Sequence, residues 1–357
     1  MKCSRKKLYD RLVALDKVAN RSSDMRILGC VKLEAKSDGL LLARTTDLER
    51  SLTAWMEVDG EISVCVNVDK LTKAVAPDAE DDSEIELLVS DGRLKVVAAR
   101  LKINLTLYPV EDFPVDGPAI GWNPAGTWET AELANAIAFT LPAASVDMRR
   151  LNLTQAAFAD ALSTTDGKRL HIMPLSVPAS IPFKLPTQSL QSLSCLLRHG
   201  EDAMAFVHEE TKRIIFRIGD FEFECKDNGV EFPPVDQVIV AKQEAPVSVN
   251  ATRLVKALKR LVSLQEDSAH RVRLDIKEGI DITFSDHDGN ECSVQVDLVT
   301  KPVTERAPFG VNANYLIEAL IGLGDTDEVE LTSREPLDPI RVDAADGRIA
   351  IVMPMRM

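Results

Sequence analysis

The chain has 357 residues, 45% of them apolar, and a formal net charge of −14 at pH 7. That apolar content is ample for real cores, the length divides naturally into two or three domains, and the acidic total argues, taken alone, against a conventional nucleic-acid binder. No run approaches the roughly 18 apolar residues of a membrane span. The six cysteines are scattered without a Cys-x-x-Cys pair, and Met1 to Lys7 is not followed by an apolar segment, which reads as a reduced, cytosolic chain without a targeting signal.

The first helix is expected from about Ser4 to Ala19, with Leu8, Leu12 and Leu15 on one face and Lys6, Lys17 and, just past its end, Arg21 on the other. Ile27 to Trp55 alternates apolar runs with turn signals such as Ser37-Asp38-Gly39, the pattern of strands joined by hairpins. A second helix ends at Pro77 with Lys73 on its polar face. Glu84 to Val89, Arg93 to Ala98 and Lys102 to Leu107 then read as strands, with Asp91-Gly92 as a tight turn. The Pro/Gly-rich passage from Phe113-Pro114 through Pro124-Ala125-Gly126 has the composition of a linker, and its signal returns at Phe232-Pro233-Pro234-Val235. Beyond it, Phe221 to Cys225 and Arg271 to Ile276 show the period-two alternation of half-buried strands.

One stretch recurs along this order. Val311-Asn312-Ala313-Asn314-Tyr315-Leu316-Ile317-Glu318-Ala319-Leu320 is echoed by Val249 to Leu258 and, more loosely, by Val66 to Val75. Its leading leucine has counterparts at Leu8, Leu71, Leu133, Leu190 and Leu254, roughly sixty residues apart, and each copy pairs that leucine with an apolar residue one turn later. Polar residues stand where a cap belongs: Ser4, Asn67 or Asp69, Thr130, Thr187, Asn250 or Thr252, and Asn312. Each unit thus carries one short amphipathic helix followed by strands, and the linker signal pairs the units into domains at 1–121, 122–244 and 245–357. The expected class is α+β.

The tail Ile351-Val352-Met353-Pro354-Met355-Arg356-Met357 resembles that of the bacterial DNA polymerase III beta subunits, the sliding clamps. Thr165-Asp166-Gly167-Lys168-Arg169-Leu170, Thr46-Asp47-Leu48-Glu49, Asp112-Phe113-Pro114, Gly219-Asp220-Phe221 and Phe232-Pro233 agree with that family in order. The resemblance runs the length of the chain. It implies the clamp fold, a head-to-tail homodimeric ring with helices inside and sheets outside, and duplex DNA passing through the hole. It also implies that polymerase, clamp loader and repair proteins dock a linear peptide between the second and third domains. The matching residues there are Leu151, Thr165, Gly167, Arg169, Leu170, Pro233, Val238, Asn312, Tyr315, Val352, Met353, Pro354, Met355 and Arg356. Flexible methionines and aliphatics suit a partner's leucine and aromatic side chains, while an Asn and an Arg would fix the peptide backbone.

Lys6, Lys17, Lys73, Lys256, Lys259 and Arg260, opposite the apolar stripes, would meet phosphates without reading bases, and Arg149-Arg150 stand on a loop that touches DNA in the family. The third and sixth helices carry no basic residue, so that lining is uneven. Ile103 and Leu105, on a first-domain edge strand, and Leu264 would meet across subunits. Two positions depart from the family pattern: Lys168 where a His is frequent and Gln237 where an Arg is frequent. A clamp-fold protein that binds clamp partners without closing on DNA, a decoy or regulator, is the alternative.

An enzyme is not expected. The five histidines are isolated, with no metal spacing around them, Asp286-His287-Asp288-Gly289-Asn290 reads as a hairpin turn, and no Gly-x-x-x-x-Gly-Lys-Ser/Thr loop is present for phosphate. No cofactor, metal or membrane partner follows from the sequence.

Overall fold

The leading leucines become the buried faces of six helices: α1 (Arg5–Leu15), α2 (Val68–Val75), α3 (Thr130–Thr140), α4 (Thr187–Leu196), α5 (Ala251–Val262) and α6 (Ala313–Leu320). Leu8, Leu12, Leu71, Val75, Leu133, Ile137, Leu190, Leu193, Leu254, Leu258, Leu316 and Leu320 are all buried. Each fully buried leucine contributes about 1.5–3 kcal/mol. The computed structural model describes residues 1–77, 84–98, 101–114, 117, 120–241, 246–267, 269–285, 289–300, 302, 307–321, 327–333 and 335–356.

Four of the six helix starts are capped as the sequence suggests. Ser4, Asn67, Asn250 and Asn312 accept from the backbone N–H groups of the first turn. Thr130 and Thr187 do not fit that expectation. Each is the first residue of its helix, and each hydroxyl donates to a carbonyl elsewhere, Thr130 to Gly200 at 2.8 Å and Thr187 to Ser145 at 3.1 Å. A threonine hydroxyl can donate as well as accept, and here the long-range carbonyl wins. α1 also stops at Leu15, so Lys17 lies on the turn beyond it.

The chain divides into two compact units, Met1–Leu133 with Gln188–Gly229 and Ala134–Thr187 with Val230–Met357. Among the described residues each unit holds one continuous 12-stranded antiparallel sheet. In the first unit the order across the sheet is Lys2–Ser4, Glu84–Ser90, Arg93–Ala98, Leu101–Tyr108, Ile62–Asn67, Cys30–Ala35, Leu40–Thr46, Arg50–Glu57, Phe221–Lys226, Arg213–Ile218, Asp202–His208 and Asn123–Glu129. In the second it is Phe183–Pro186, Gln155–Phe158, Ala161–Thr165, Arg169–Pro174, Ile349–Val352, Ile340–Ala344, Glu328–Thr332, Val247–Asn250, Glu291–Thr300, Gly279–Ser285, Arg271–Ile276 and Phe309–Asn312. α1 packs beside α2 in the first unit, and α5 beside α6 in the second. Val249, Leu254, Leu258, Val272, Ile282, Leu316 and Leu331 belong to one apolar core there.

Two expectations change. The passage read as a linker is partly sheet: Asn123–Glu129 pairs with Asp202–His208 as the last strand in its order. Pro124 is tolerated because it sits on that terminal strand beside a register shift at Ala205/Phe206, where a missing N–H breaks no ladder. Phe113, at the start of the same passage, is buried against Ile27, Leu28, Cys30 and Cys65. The second change concerns the strand carrying Ile103 and Leu105, which is internal in the sheet order. It pairs with Arg93–Ala98 along residues 101–106 and with Ile62–Asn67 only at Leu107 and Tyr108. Among the described residues, its second edge over 101–106 therefore has no strand partner. Asp286, His287 and Asp288 lie outside the described residues, but the strands on either side pair through Ser285 and Glu291.

Candidate peptide-binding surface

The residues expected to receive a peptide all fall in the second unit. Their frame is a turn braced by its own side chains. Thr165 Oγ1 donates to the Arg169 carbonyl at 2.6 Å and accepts from Gly167 N at 3.0 Å, while Asp166 Oδ1 accepts from Lys168 N at 2.8 Å and Arg169 N at 3.0 Å. Gly167 sits at φ +84°, in the left-handed region that favours glycine.

The same device occurs in the first unit. Thr46 Oγ1 donates to Arg50 O at 2.8 Å and accepts from Leu48 N at 3.0 Å, and Asp47 Oδ1 accepts from Arg50 N at 2.6 Å. There the left-handed position, φ +81°, is occupied by Leu48. The two arginines reach different targets. Arg50 Nη1 donates to Gln188 O at 3.1 Å and to Ser192 Oγ at 2.9 Å on α4. Arg169 donates from Nε to Asp166 at 3.1 Å, pairs with Glu318 and lies 4.3 Å from the centre of the Tyr315 ring on α6. A guanidinium stacked on an aromatic face and held by two carboxylates is a rigid wall.

The tail supplies the next wall. Ile349–Val352 pairs with Arg169–Pro174, placing Val352 opposite Arg169 and Ile351 opposite Leu170. Beyond Val352 the chain leaves the sheet but stays tethered, Met353 N donating to Lys168 O and Met355 N to Gly310 O, both at 2.8 Å. Leu151, Val238 and Met353 are exposed at 39%, 41% and 38%, and Pro233, Tyr315, Pro354 and Met355 are half-buried. Thr165, Leu170 and Val352 lie beneath the surface and support it. Asn312 has both ends of its amide occupied within the chain: Oδ1 caps α6 and Nδ2 donates to Ala269 O at 3.0 Å. Asn312 therefore shapes the start of α6 with the amide that was expected to hold a peptide backbone.

Two contributors escape a reading of the sequence alone. Glu318 stands one helical turn after Tyr315 on the same face, a spacing that could have marked it. Arg150, assigned from the sequence to a DNA-facing loop, has its guanidinium over Gly167, where an added Cβ would stand 3.0 Å from Nη2 and 3.3 Å from Nη1. Such a tertiary contact leaves no local trace.

Beneath this surface His171 is buried between Thr164 and Ala350 in the sheet. Its Nδ1 lies 2.7 Å from Phe139 O, its ring stacks on Phe139 at 4.8 Å, and burial pushes its pKa down to about 4. The residue is a neutral core histidine.

The cationic residues assigned to DNA are exposed as expected for helix faces and loops: Lys6, Lys17, Lys73, Arg149, Arg150, Lys256, Lys259 and Arg260. Lys73 pairs with Asp69 at 2.8 Å and Arg149 with Asp147 at 2.9 Å. α5 is the clearest case, with Leu254, Leu258 and Leu261 buried on one face and Lys256, Lys259 and Arg260 on the other. Leu264, just after α5, is 56% exposed, and Leu105 is buried.

No family model matches the chain. Curated proteins do: it is 23% identical over 334 residues to the beta sliding clamp of Synechococcus elongatus, covering 87% of this chain and 85% of that one. It is 25% identical over 361 residues to the beta sliding clamp of Pseudomonas putida, covering 95% of each. Among solved structures, the Caulobacter crescentus beta sliding clamp superposes with a TM-score of 0.90 at 21% identity, over 100% of this chain and 98% of that one. No helix of the described residues is long and apolar enough to cross a membrane. The chain is thus similar along nearly its whole length to bacterial beta sliding clamps, and it has the same α+β clamp fold.

Proposed function

We propose that the chain works in the cytoplasm as a non-catalytic processivity factor in DNA replication, closing as a head-to-tail homodimeric ring around duplex DNA and holding polymerase, clamp loader and repair proteins by a linear peptide. In this reading the repeats form three clamp domains, 1–121, 122–244 and 245–357. The observation that carries it is the surface built from the 165–169 turn, Tyr315 and the 352–356 tail. It offers exposed aliphatic and methionine side chains on a framework braced by its own hydrogen bonds. Such a surface suits apolar anchors on an extended partner.

The acidic total fits a topological grip. A ring needs only weak positive potential along its helices, because closure, and not affinity, retains the DNA. Ile103, Leu105 and Leu264 are assigned to the subunit contact, where the edge of the strand over 101–106, without a strand partner among the described residues, would take a second chain.

The test is native mass by light scattering across a dilution series. One chain is 39.2 kDa, so the ring requires a species of twice that mass which persists on dilution. It should then be retained on closed circular DNA and released when the circle is cut. A monomer at micromolar concentration, with no topology-dependent retention, would overturn the ring and leave the decoy reading standing.

A further inference from the structure

The carboxylates nearest the peptide-binding surface are already engaged. Asp166 accepts from Lys168 N, Arg169 N and Arg169 Nε, Glu318 is paired with Arg169, and Asp147 is held by Arg149 Nε at 2.9 Å and Nη2 at 3.0 Å. The cations beside them are not. Arg150, Lys168 and Arg356 are exposed and form no ion pair among the described residues. They also belong to one patch: the Arg150 guanidinium packs over Gly167, Lys168 is the next residue, and its carbonyl holds Met353 N at 2.8 Å on the tail that leads to Arg356. Asp236, exposed on the turn before Val238, and Glu231, exposed two residues before Pro233, offset two of these three charges at most. On a chain of net charge −14, a local excess of positive charge bordering the exposed Leu151 and Met353 is a recognition feature.

We infer that this surface selects partner peptides whose apolar anchors are flanked by acidic residues, with Arg150 and Lys168 determining that specificity; the inference rests on the peptide-binding reading above. The apolar anchors supply the affinity and the cations the discrimination. An exposed charge pair is worth about 1.5- to 5-fold in affinity, from the roughly 0.2–1 kcal/mol of surface ion pairs, and salt screens it over about 10 Å at 0.1 M.

The experiment uses fluorescence anisotropy on the full chain with two short labelled peptides that share leucine and phenylalanine anchors. One carries Asp-Asp beside the anchors and the other Asn-Asn. The acidic peptide is expected to bind about 3- to 10-fold more tightly at low salt, with the gap closing as salt rises. Lys168→Glu should erase or invert the preference and Arg150→Gln should reduce it, read for each variant as the ratio of its affinities for the two peptides. Equal binding of the two peptides, or a preference that survives Lys168→Glu and Arg150→Gln together, would overturn the specificity and leave the docking surface intact. Failure of both peptides to bind the parent chain would remove the docking surface and this inference with it. Circular dichroism of each variant separates misfolding from impaired recognition.

Discussion

Gly167 and Leu48 occupy the same place in two copies of one turn, at φ +84° and +81°, and chemistry forces opposite outcomes on them. A side chain at Gly167 would adopt a left-handed backbone and press on Arg150, which stands 3.0 Å from the new Cβ. Gly167→Ala should therefore cost about 1–3 kcal/mol and weaken peptide binding through the displaced guanidinium. Leu48 already bears that backbone strain, and half of its side chain is in water. Left-handed strain of about 1–2 kcal/mol is then relieved by Leu48→Gly, against about 0.5–1 kcal/mol of added chain entropy. The expected result is a neutral to slightly stabilised protein. Thermal unfolding of the two variants checks both signs, and a destabilised Leu48→Gly would mean that the side chain has a partner which its exposure hides. His171 makes a pH-dependent prediction. Its folded pKa of about 4 lies below the 6.5 of a free imidazole, so the unfolded chain binds more protons between those values and stability falls as pH drops through that window. The loss approaches roughly 3 kcal/mol below pH 4. His171→Phe keeps a ring on Phe139 and cannot be protonated, so its unfolding midpoint should fall less than the parent's from pH 6.5 to 4; parallel curves would sink the assignment.

At the scale of elements, the tail after Val352 is held by two backbone hydrogen bonds outside its sheet, Met353 N to Lys168 O and Met355 N to Gly310 O. Removing everything from Met353 onward leaves the Ile349–Val352 strand and its pairing untouched. Peptide binding should be abolished with no change in native mass, and undiminished binding would take the tail out of the site. The helices behind this prediction were legible because an apolar residue every turn is a local signal, and Leu254, Leu258 and Leu316 are buried as that period demands. The asparagine caps were legible for the same reason. Thr130 and Thr187 were misread because their hydroxyls turn to Gly200 and Ser145, far away in the chain. The internal position of the strand bearing Ile103 and the sheet character of Asn123–Glu129 are also non-local, since pairing partners are chosen by the whole sheet. Of the proposed peptide-binding surface, the motif residues were visible; the stacking of Arg169 on Tyr315 and the cover of Arg150 over Gly167 exist only once the chain has folded.

For the whole molecule, a net charge of −14 must coexist with DNA held in the proposed ring. The cations on α5 are exposed opposite its buried leucines, so they are available to phosphates but cannot carry tight binding against the acidic remainder. Affinity for a short linear duplex should accordingly be weak and fall linearly on a log–log plot against salt, each neutralised phosphate adding about 0.9 to the slope. Neutralising Lys256→Gln, Lys259→Gln and Arg260→Gln together should lower the slope by up to about 2.7, which is about 0.9 for each of the three cations removed. Native mass and peptide binding should stay unchanged, because none of the three side chains is in the core or at the 165–169 turn. Retention on a closed circle separates the two ways of holding DNA. At a salt concentration where linear duplex no longer binds, a closed ring still cannot leave a circle, so retention should persist there and be only modestly reduced in the triple variant. If retention on the circle instead decays with salt in parallel with binding to the linear duplex, the protein holds DNA by charge alone. The encircling ring would then be the wrong account of how so acidic a chain stays on its template.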